Sequence, residues 1–421
     1  MVITADEINA ITNEIGSESK LIAAACAMTV LNFTFPLKMY LKHSIKFSTH
    51  KPRNFIKFQL LCNLLYHKNL IPLMFVVYLC ELQERILFMK EIVVSGMRPT
   101  GKLHLGHYLG VIQNWVQLQD KYDCYFFAAD WHALTTKYDK TENLRENTLD
   151  VIMDWLACGI DPEKSVIYVQ SLVPEIAELN IYLGMITPQN WVERDPTLKD
   201  MAKILKTKEG QGQQVNYGLM GYPVLMSADI MMFNADFIPV GIDQVAHIEI
   251  TRDIARRFNN LYGEEFFKES KPLLNNCSLI CGLDGNKMGK SFNNDIKISD
   301  TAEDTAKKVM TAITDRSRLR KDDLGHPDEC EVAFKYWKIF GSEDEIKTVR
   351  CECEQGQRGC AQCKRQLGEK INSTFEQIRE RRKYYEQHPE IVEKIIEDGS
   401  AKAREKAKEV LAHVRKLVRM Y

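Results

Sequence analysis

Two histidines three residues apart, in Leu103-His104-Leu105-Gly106-His107, are the first residues whose spacing could do chemistry. A glycine at the opening of a helix lets a nucleotide approach the backbone, and the exposed N–H groups there, with the positive end of the helix dipole, favour phosphate. His104 and His107 can then donate hydrogen bonds to a phosphate whose charge grows during displacement. Far downstream, Gly285-Asn286-Lys287-Met288-Gly289-Lys290-Ser291 places two lysines three apart in a loop flanked by Gly, Asn and Asp. Two ammonium groups on flexible stems can follow a triphosphate as it distorts and neutralise departing pyrophosphate. Either motif alone is weak evidence, because helix-start histidines are common and most exposed lysine pairs are merely solvated.

A third constellation is Cys330, Cys353, Cys360 and Cys363, spaced C-x22-C-x6-C-x2-C in a segment that reads as too polar to bury thiols for packing. Four thiolates can hold zinc tetrahedrally or an iron-sulfur cluster, and the residues themselves leave both open. Cys351 is an extra thiol beside this set. Cys124 and Cys158 sit in apolar runs and read as small buried hydrophobes. Cys277 and Cys281, next to the lysine loop, stay unassigned. Twelve cysteines in all would suit a secreted disulfide protein, but no cleavable signal peptide pattern accompanies them.

These residues need a scaffold, and the chain from Met89 onward supplies a regular one. Glu91 to Ser95 reads as a strand, Arg98-Pro99-Thr100-Gly101 as a turn, and Gly106 to Lys121 as a helix. Cys124 to Ala129 and Val166 to Gln170 read as further strands, with a helix over Glu142 to Ala157 between them. Tyr222 to Phe233 reads as helix, Phe237 to Val240 as strand, and Gln244 to Leu261 as a helix with Ile254, Phe258 and Leu261 on one face. Such alternation predicts an α/β, Rossmann-like doubly wound parallel sheet, with the histidine motif at the strand-to-helix turn where open sheets bind ligands. From about Thr301 strand signals fade. The rest reads as a helical domain over 301–421, with long charged helices near Cys363 to His388 and Glu390 to Tyr421, and a polar, cysteine-bearing interruption between Cys330 and Cys363.

The chain has 421 residues, enough for two or three domains, and its 56 basic and 57 acidic side chains nearly cancel. Any nucleic-acid surface must therefore come from local clustering. Residues 1–88 are rich in Leu, Ile, Phe, Lys and Asn without a clean period. Their apolar windows are too short or too interrupted for a spanning helix, which needs about 20 apolar residues, so no membrane role is predicted. Asp6, Glu7, Glu14 and Glu18 argue against a transit peptide. The simplest expectation is an N-terminal extension from a misplaced start, with natural translation beginning at Met89.

Together, the H-x-G-H turn and the K-M-x-K-S-like loop resemble the two signatures of class I aminoacyl-tRNA synthetases. The run from Ser95 to His107 looks like the opening of bacterial tryptophanyl-tRNA synthetases, and the resemblance extends from Met89 nearly to the last residue. Two departures are visible: Gly289 stands where the family's loop has serine, and Ile242 where its Gly-Glu-Asp-Gln segment has glutamate.

The resemblance implies an ATP-dependent ligase that activates L-tryptophan to tryptophanyl-adenylate and transfers it to tRNA(Trp), with His104, His107, Lys287 and Lys290 catalytic and magnesium accompanying ATP. It implies ATP binding by Arg98, Pro99, Thr100, Gly106, His107, Gly241, Ile242, Asp243, Lys287, Met288, Gly289, Lys290 and Ser291. Tyr222, Met226, Asp229 and Gln244 match its tryptophan pocket. That chemistry suits an indole, whose N–H only donates and so calls for a carboxylate such as Asp229. A catalytic domain over 89–300, a helical anticodon-binding domain over 301–421, a homodimer and a cytoplasmic location follow from the same resemblance. It also implies a four-iron four-sulfur (4Fe-4S) cluster on the four cysteines, in place of zinc, and turns the basic strip Arg316, Arg318, Arg320 and Lys321 into an RNA contact. No long insertion points to an editing domain. The alternatives are a tyrosyl-tRNA synthetase, which shares this architecture, a small adenylyltransferase with the same histidine turn, and a catalytically inactive synthetase-like RNA-binding protein.

Overall fold

The computed structural model describes residues 90–195, 216–241, 244–274, 280–289, 292–320 and 322–421. The expectations for residues 1–88 and for Ile242, Asp243, Cys277, Lys290, Ser291 and Lys321 fall outside the described residues.

Five strands form one parallel sheet: β1 (Ile92–Met97), β2 (Asp123–Ala128), β3 (Ser165–Val169), β4 (Phe237–Val240) and β5 (Lys271–Leu274), in the order β3-β2-β1-β4-β5. The chain winds outward from β1 to one edge and returns through β4 to the other. The reversal beside β1 is the crevice where such sheets bind ligands. The strands are near-continuous apolar runs because helices cover both faces. Val93, Phe126 and Ile167 face one layer while Val94, Phe127 and Tyr168 face the other, and these two sets seed two separate buried cores.

After β1, helix α1 starts with one turn over Leu105–His107, widens to a π-helical stretch over Tyr108–Ile112 and resumes over Gln113–Leu118. Widened turns of this kind mark functional sites in many folds. Helices α2 (Asp130–Lys137) and α3 (Leu144–Cys158) follow β2, and α3 ends at Gly159, whose φ of 108° is the left-handed cap glycine tolerates best. Cys124 and Cys158 are buried, as their apolar surroundings predict. Beyond β3 come α4 (Glu175–Ile186), the short α5 (Gln189–Val192), α6 (Tyr217–Met232) and α7 (Val245–Tyr262). On α7, Ile254 and Phe258 are fully buried, but Leu261 is 54% exposed, against the expectation of one shared face. It lies in the last turn of the helix, where no neighbour among the described residues covers it.

After the sheet the chain is helical: α8 (Ala302–Met310), α9 (Ala333–Phe340), α10 (Glu343–Glu354), α11 (Cys360–Gln387) and α12 (Pro389–Val418). The stretch between Cys330 and Cys363 is not the polar interruption the sequence suggested. It folds into α9 and α10 and buries Val332, Phe334, Tyr336, Trp337 and Val349. The apolar positions recur at helical spacing among many charges, which lowers the average polarity signal without removing the buried stripe.

The core under α1 and α3 runs without a break into these helices, from Trp115 and Trp155 to Trp337, Leu367 and Phe375. Helix α12 closes the outer edge of the sheet, which would otherwise present unpaired groups. Gly399 makes that possible: a Cβ there would sit 1.9 Å from the Ile167 carbonyl oxygen, and Ser400 Oγ accepts the Val169 N–H at 3.4 Å. No helix among the described residues is long and apolar enough to cross a membrane.

Candidate active site

The histidine turn lies at the carboxyl end of β1, the place the sequence predicts. His104 caps α1 by accepting the Gly106 N–H on Nδ1 at 3.1 Å, and His107 Nδ1 accepts the His104 N–H at 3.2 Å. With Nδ1 an acceptor in both rings, each neutral imidazole carries its hydrogen on Nε2, the form that can donate to a phosphate oxygen. The ring centroids are 3.9 Å apart, so the two act as one donor face. A side chain at Gly106 would meet the His104 ring at 3.0 Å, which is why the glycine is needed.

A cavity of about 420 Å³ opens between this turn and α6. Its walls bring together His107, Arg98, Thr100 and Gly241, expected for ATP, and all four residues expected for tryptophan, Tyr222, Met226, Asp229 and Gln244. Pro99, Gly106, His104, Lys287, Met288 and Gly289 are not in its lining.

Asp229, 1% exposed, projects from α6 at the cavity floor. Gln170 Nε2 donates to its two oxygens at 2.8 and 2.9 Å, and His132 Nε2 lies 3.0 Å from Oδ2. The Gln170 amide is itself oriented, since its Oε1 accepts the His132 main-chain N–H at 3.4 Å. A carboxylate offers about four lone-pair directions, three of which are taken here, leaving one for a further donor. Burial pushes Asp229 above the usual carboxylate range, opposed by the hydrogen bonds from His132 and Gln170. Sequence reasoning missed both partners, although His132 follows the end of β2 and Gln170 the end of β3, positions where parallel sheets place functional groups.

Tyr222 is held from behind. Its hydroxyl donates to Asp195 Oδ2 at 2.8 Å and contacts His247 Nε2, which lies 2.8 Å from the same carboxylate oxygen. Asp195 and His247 are each 1% exposed. Neither was expected, because they lie far from Tyr222 in sequence and carry no motif.

The lysine loop is organised by Asn294, 3% exposed. Its Oδ1 accepts the Gly289 N–H at 2.9 Å, and its Nδ2 donates to the Lys287 carbonyl at 3.1 Å and to Asp284 Oδ1 at 2.7 Å. Lys287 is exposed while Met288 is buried, which anchors the loop and leaves the ammonium at its surface. The segment leaving the loop pairs with the histidine turn: Leu105 N donates to Ile296 O at 2.9 Å and Ile298 N to Leu103 O at 3.0 Å.

The four cysteines gather at the far end of the helical region. Cys330 precedes α9, Cys353 lies on α10, and Cys360 and Cys363 form the first turn of α11. Burial raises Cys330, Cys353 and Cys363, the last to about 11, and the neighbouring thiols add to each shift. Arg318 points into this group and does not spread as part of a solvated strip: its guanidinium lies 3.7 Å from Cys353 Sγ and 3.9 Å from Cys360 Sγ. Asp315 orders the loop that carries it, accepting from Ser317 Oγ at 2.5 Å and from the His326 N–H at 2.8 Å. Cys281 lies apart, 3.5 Å from the Glu331 carbonyl oxygen.

Comparison with known proteins gives a consistent result. The family described as tRNA synthetases class I (W and Y) matches residues 89–376. The tryptophan–tRNA ligase of Aquifex aeolicus is 41% identical, covering 78% of this chain and 99% of the relative. That of Thermotoga maritima is 42% identical over the same shares. Among solved structures, the tryptophanyl-tRNA synthetase of Campylobacter jejuni with ADP and tryptophan is 35% identical, with a TM-score of 0.71, and covers 78% of this chain and 100% of its own. The tyrosyl-tRNA synthetase of Archaeoglobus fulgidus, at 20% identity and a TM-score of 0.52, shares the fold alone.

Proposed function

The chain belongs to the class I tRNA synthetases (W and Y), and on that premise we propose how its residues carry out the work of a tryptophan–tRNA ligase. The enzyme activates L-tryptophan with ATP to tryptophanyl-adenylate and transfers the acyl group to the 3′ end of tRNA(Trp). The observation that carries the assignment of roles is the single cavity in which Asp229, with one acceptor direction left, faces His107, Arg98 and Thr100.

In this reading the indole N–H donates to Asp229, the ring packs on Met226, and Tyr222 and Gln244 hold the amino acid's polar end. The carboxylate then attacks the α-phosphate of ATP in line. His104 and His107 donate from Nε2 to the phosphate oxygens, while Lys287 and Lys290 follow the departing pyrophosphate and magnesium accompanies the nucleotide. Pro99, Gly106 and Gly241 offer close backbone approach, and Ile242, Asp243, Met288, Gly289 and Ser291 complete the nucleotide contacts. No covalent enzyme intermediate is required, so the protein's contribution is positioning and electrostatics. Tryptophan-dependent ATP–pyrophosphate exchange tests this: Asp229→Asn should lower kcat/KM for tryptophan about 100-fold or more, while His107→Ala should spare tryptophan binding and lower the rate. Exchange supported equally by tyrosine would overturn the pocket assignment.

The cysteine end fits a metal group. Four thiols converge, three of them raised by burial, with a guanidinium beside two, a donor set that would hold a 4Fe-4S cluster through Cys330, Cys353, Cys360 and Cys363. Tetrahedral zinc, with zinc–sulfur bonds of about 2.3 Å, would draw sulfurs to about 3.8 Å from one another. Either group would take the same four cysteines, so metal and sulfide analysis decides between them. Bound, such a group would cross-link α9, α10 and α11 and order the RNA-facing surface.

The division of labour follows: residues 89–300 carry catalysis, residues 301–421 read the anticodon, and residues 1–88, which precede the matched span, are an extension to the enzyme proper. A homodimer in the cytoplasm completes the reading. Ile181 and Met185, one turn apart on α4 and 56% and 81% exposed, support a two-fold apolar contact there.

A further inference from the structure

Asp154 on α3 has no exposure to solvent, and the adenylate chemistry described above does not call on it. Its Oδ2 accepts the main-chain N–H of Leu103, the residue before His104, at 3.3 Å. Its Oδ1 takes a guanidinium hydrogen from Arg382 on α11. Arg382, 3% exposed, also donates to Asp150 Oδ1 at 2.7 Å, to the Asp150 carbonyl at 3.2 Å and to Glu386 Oε1 at 2.9 Å. Burial pushes Asp154 up to about 6 against the pull of Arg382, so its charge at neutral pH depends on that guanidinium. Interior ion pairs of this kind seldom stabilise more than apolar packing would, which leaves a purely structural account incomplete.

Neighbouring contacts show what the pair holds. The histidine turn is fixed on its other side by Ile296 and Ile298, in the segment leaving the lysine loop, and His104 pairs antiparallel with Lys297. Helix α11 grips that segment too: Arg379 Nε donates to the Asp300 carbonyl at 2.8 Å, and Arg379 also donates to Thr305 Oγ1 at 2.9 Å. Arg381 Nε donates to the Ala157 carbonyl at 2.6 Å, at the end of α3. Three arginines within one turn of α11 thus hold both sides of the turn that carries the imidazoles.

We propose that Arg382, acting through Asp154, is a positioning residue for adenylate formation, setting the Leu103 N–H and with it the two imidazoles of the histidine turn. The inference rests on the synthetase reading above. Arg382→Lys keeps a cation but cannot fork between Asp150 and Asp154. Asp154→Asn keeps the shape and an acceptor for Leu103 but removes the charge that fixes Arg382.

Wild-type tryptophan-dependent ATP–pyrophosphate exchange is measured first, and its absence overturns the enzyme reading and this proposal together. Given exchange, both variants should bind tryptophan with wild-type affinity, by fluorescence titration, while kcat for exchange falls about tenfold or more, as displacement of a catalytic group by a fraction of an ångström requires. A merely structural pair would lower the melting temperature yet leave kcat and both KM values at wild type wherever the variants are folded, and that result overturns the proposal alone. Should Arg382→Lys not fold, the isosteric Asp154→Asn decides the matter.

Discussion

Nε2 of His132 lies 3.0 Å from Oδ2 of Asp229, and both side chains are buried beneath the cavity. With Gln170 on the same carboxylate, this contact fixes the direction of its one remaining acceptor site. Replacing Asp229 by Asn turns an acceptor into a partial donor, and kcat/KM for tryptophan should fall about 100-fold or more. His132→Gln should do less, raising KM for tryptophan without abolishing exchange. Steady-state exchange kinetics separate the two.

Burial raises the Asp229 carboxyl above its ordinary value, so protonation sets in at a higher pH than for an exposed aspartate. The charged form is the better acceptor for an indole N–H. KM for tryptophan should therefore rise as pH falls from neutral through the raised value, while KM for ATP stays flat over the same range. A tryptophan KM that does not change with pH contradicts this role for the carboxylate.

Asp195, itself buried, is a partner to both the buried His247 and the half-buried Tyr222. Asp195→Ala leaves two polar groups with a lost partner and should cost about 1–3 kcal/mol of stability. Because Tyr222 lines the cavity, weaker tryptophan binding should accompany the loss, visible as a higher dissociation constant in equilibrium titration.

Asn294 holds the lysine loop through Asp284, the Lys287 carbonyl and the Gly289 N–H. Asn294→Ala should reduce kcat for exchange while leaving tryptophan affinity unchanged, since none of its partners lines the tryptophan pocket. Equal losses in both would place the residue in general stability.

Protein purified without oxygen should contain about four iron and four sulfide per chain, as a cysteine-held four-iron cluster requires. Cys360→Ser should lose most of both, with adenylate formation preserved and tRNA charging impaired. Zinc in place of iron would remove the cluster and leave the synthetase standing on its pocket and histidine turn.

Much of this is legible in the sequence alone. Apolar strands alternating with helical periods specify a parallel sheet, because only helices on both faces can cover strands such as Ile92–Met97. The histidine turn, the lysine loop and the segment from Tyr222 to Asp229 are local patterns, and local patterns survive folding in place. Leu261 and the helices between Cys330 and Cys363 were misread because period and average polarity do not say which surface a neighbour will cover.

The residues that hold the chemistry in position were not legible. His132 and Gln170 meet Asp229, Asp195 and His247 meet Tyr222, and Arg382 meets Asp154 across separations of 25 to 228 residues. A lone Asp, Gln or Arg in a sequence is far more often solvated than buried, so nothing in its type announces a partner. The sequence by itself determined which residue types stand at spacings suited to phosphate, indole and metal chemistry. Tertiary structure decided which oxygen is left to accept, which ring nitrogen carries the hydrogen and which arginine reaches the core, because hydrogen-bond direction and desolvation exist only once distant elements are packed together.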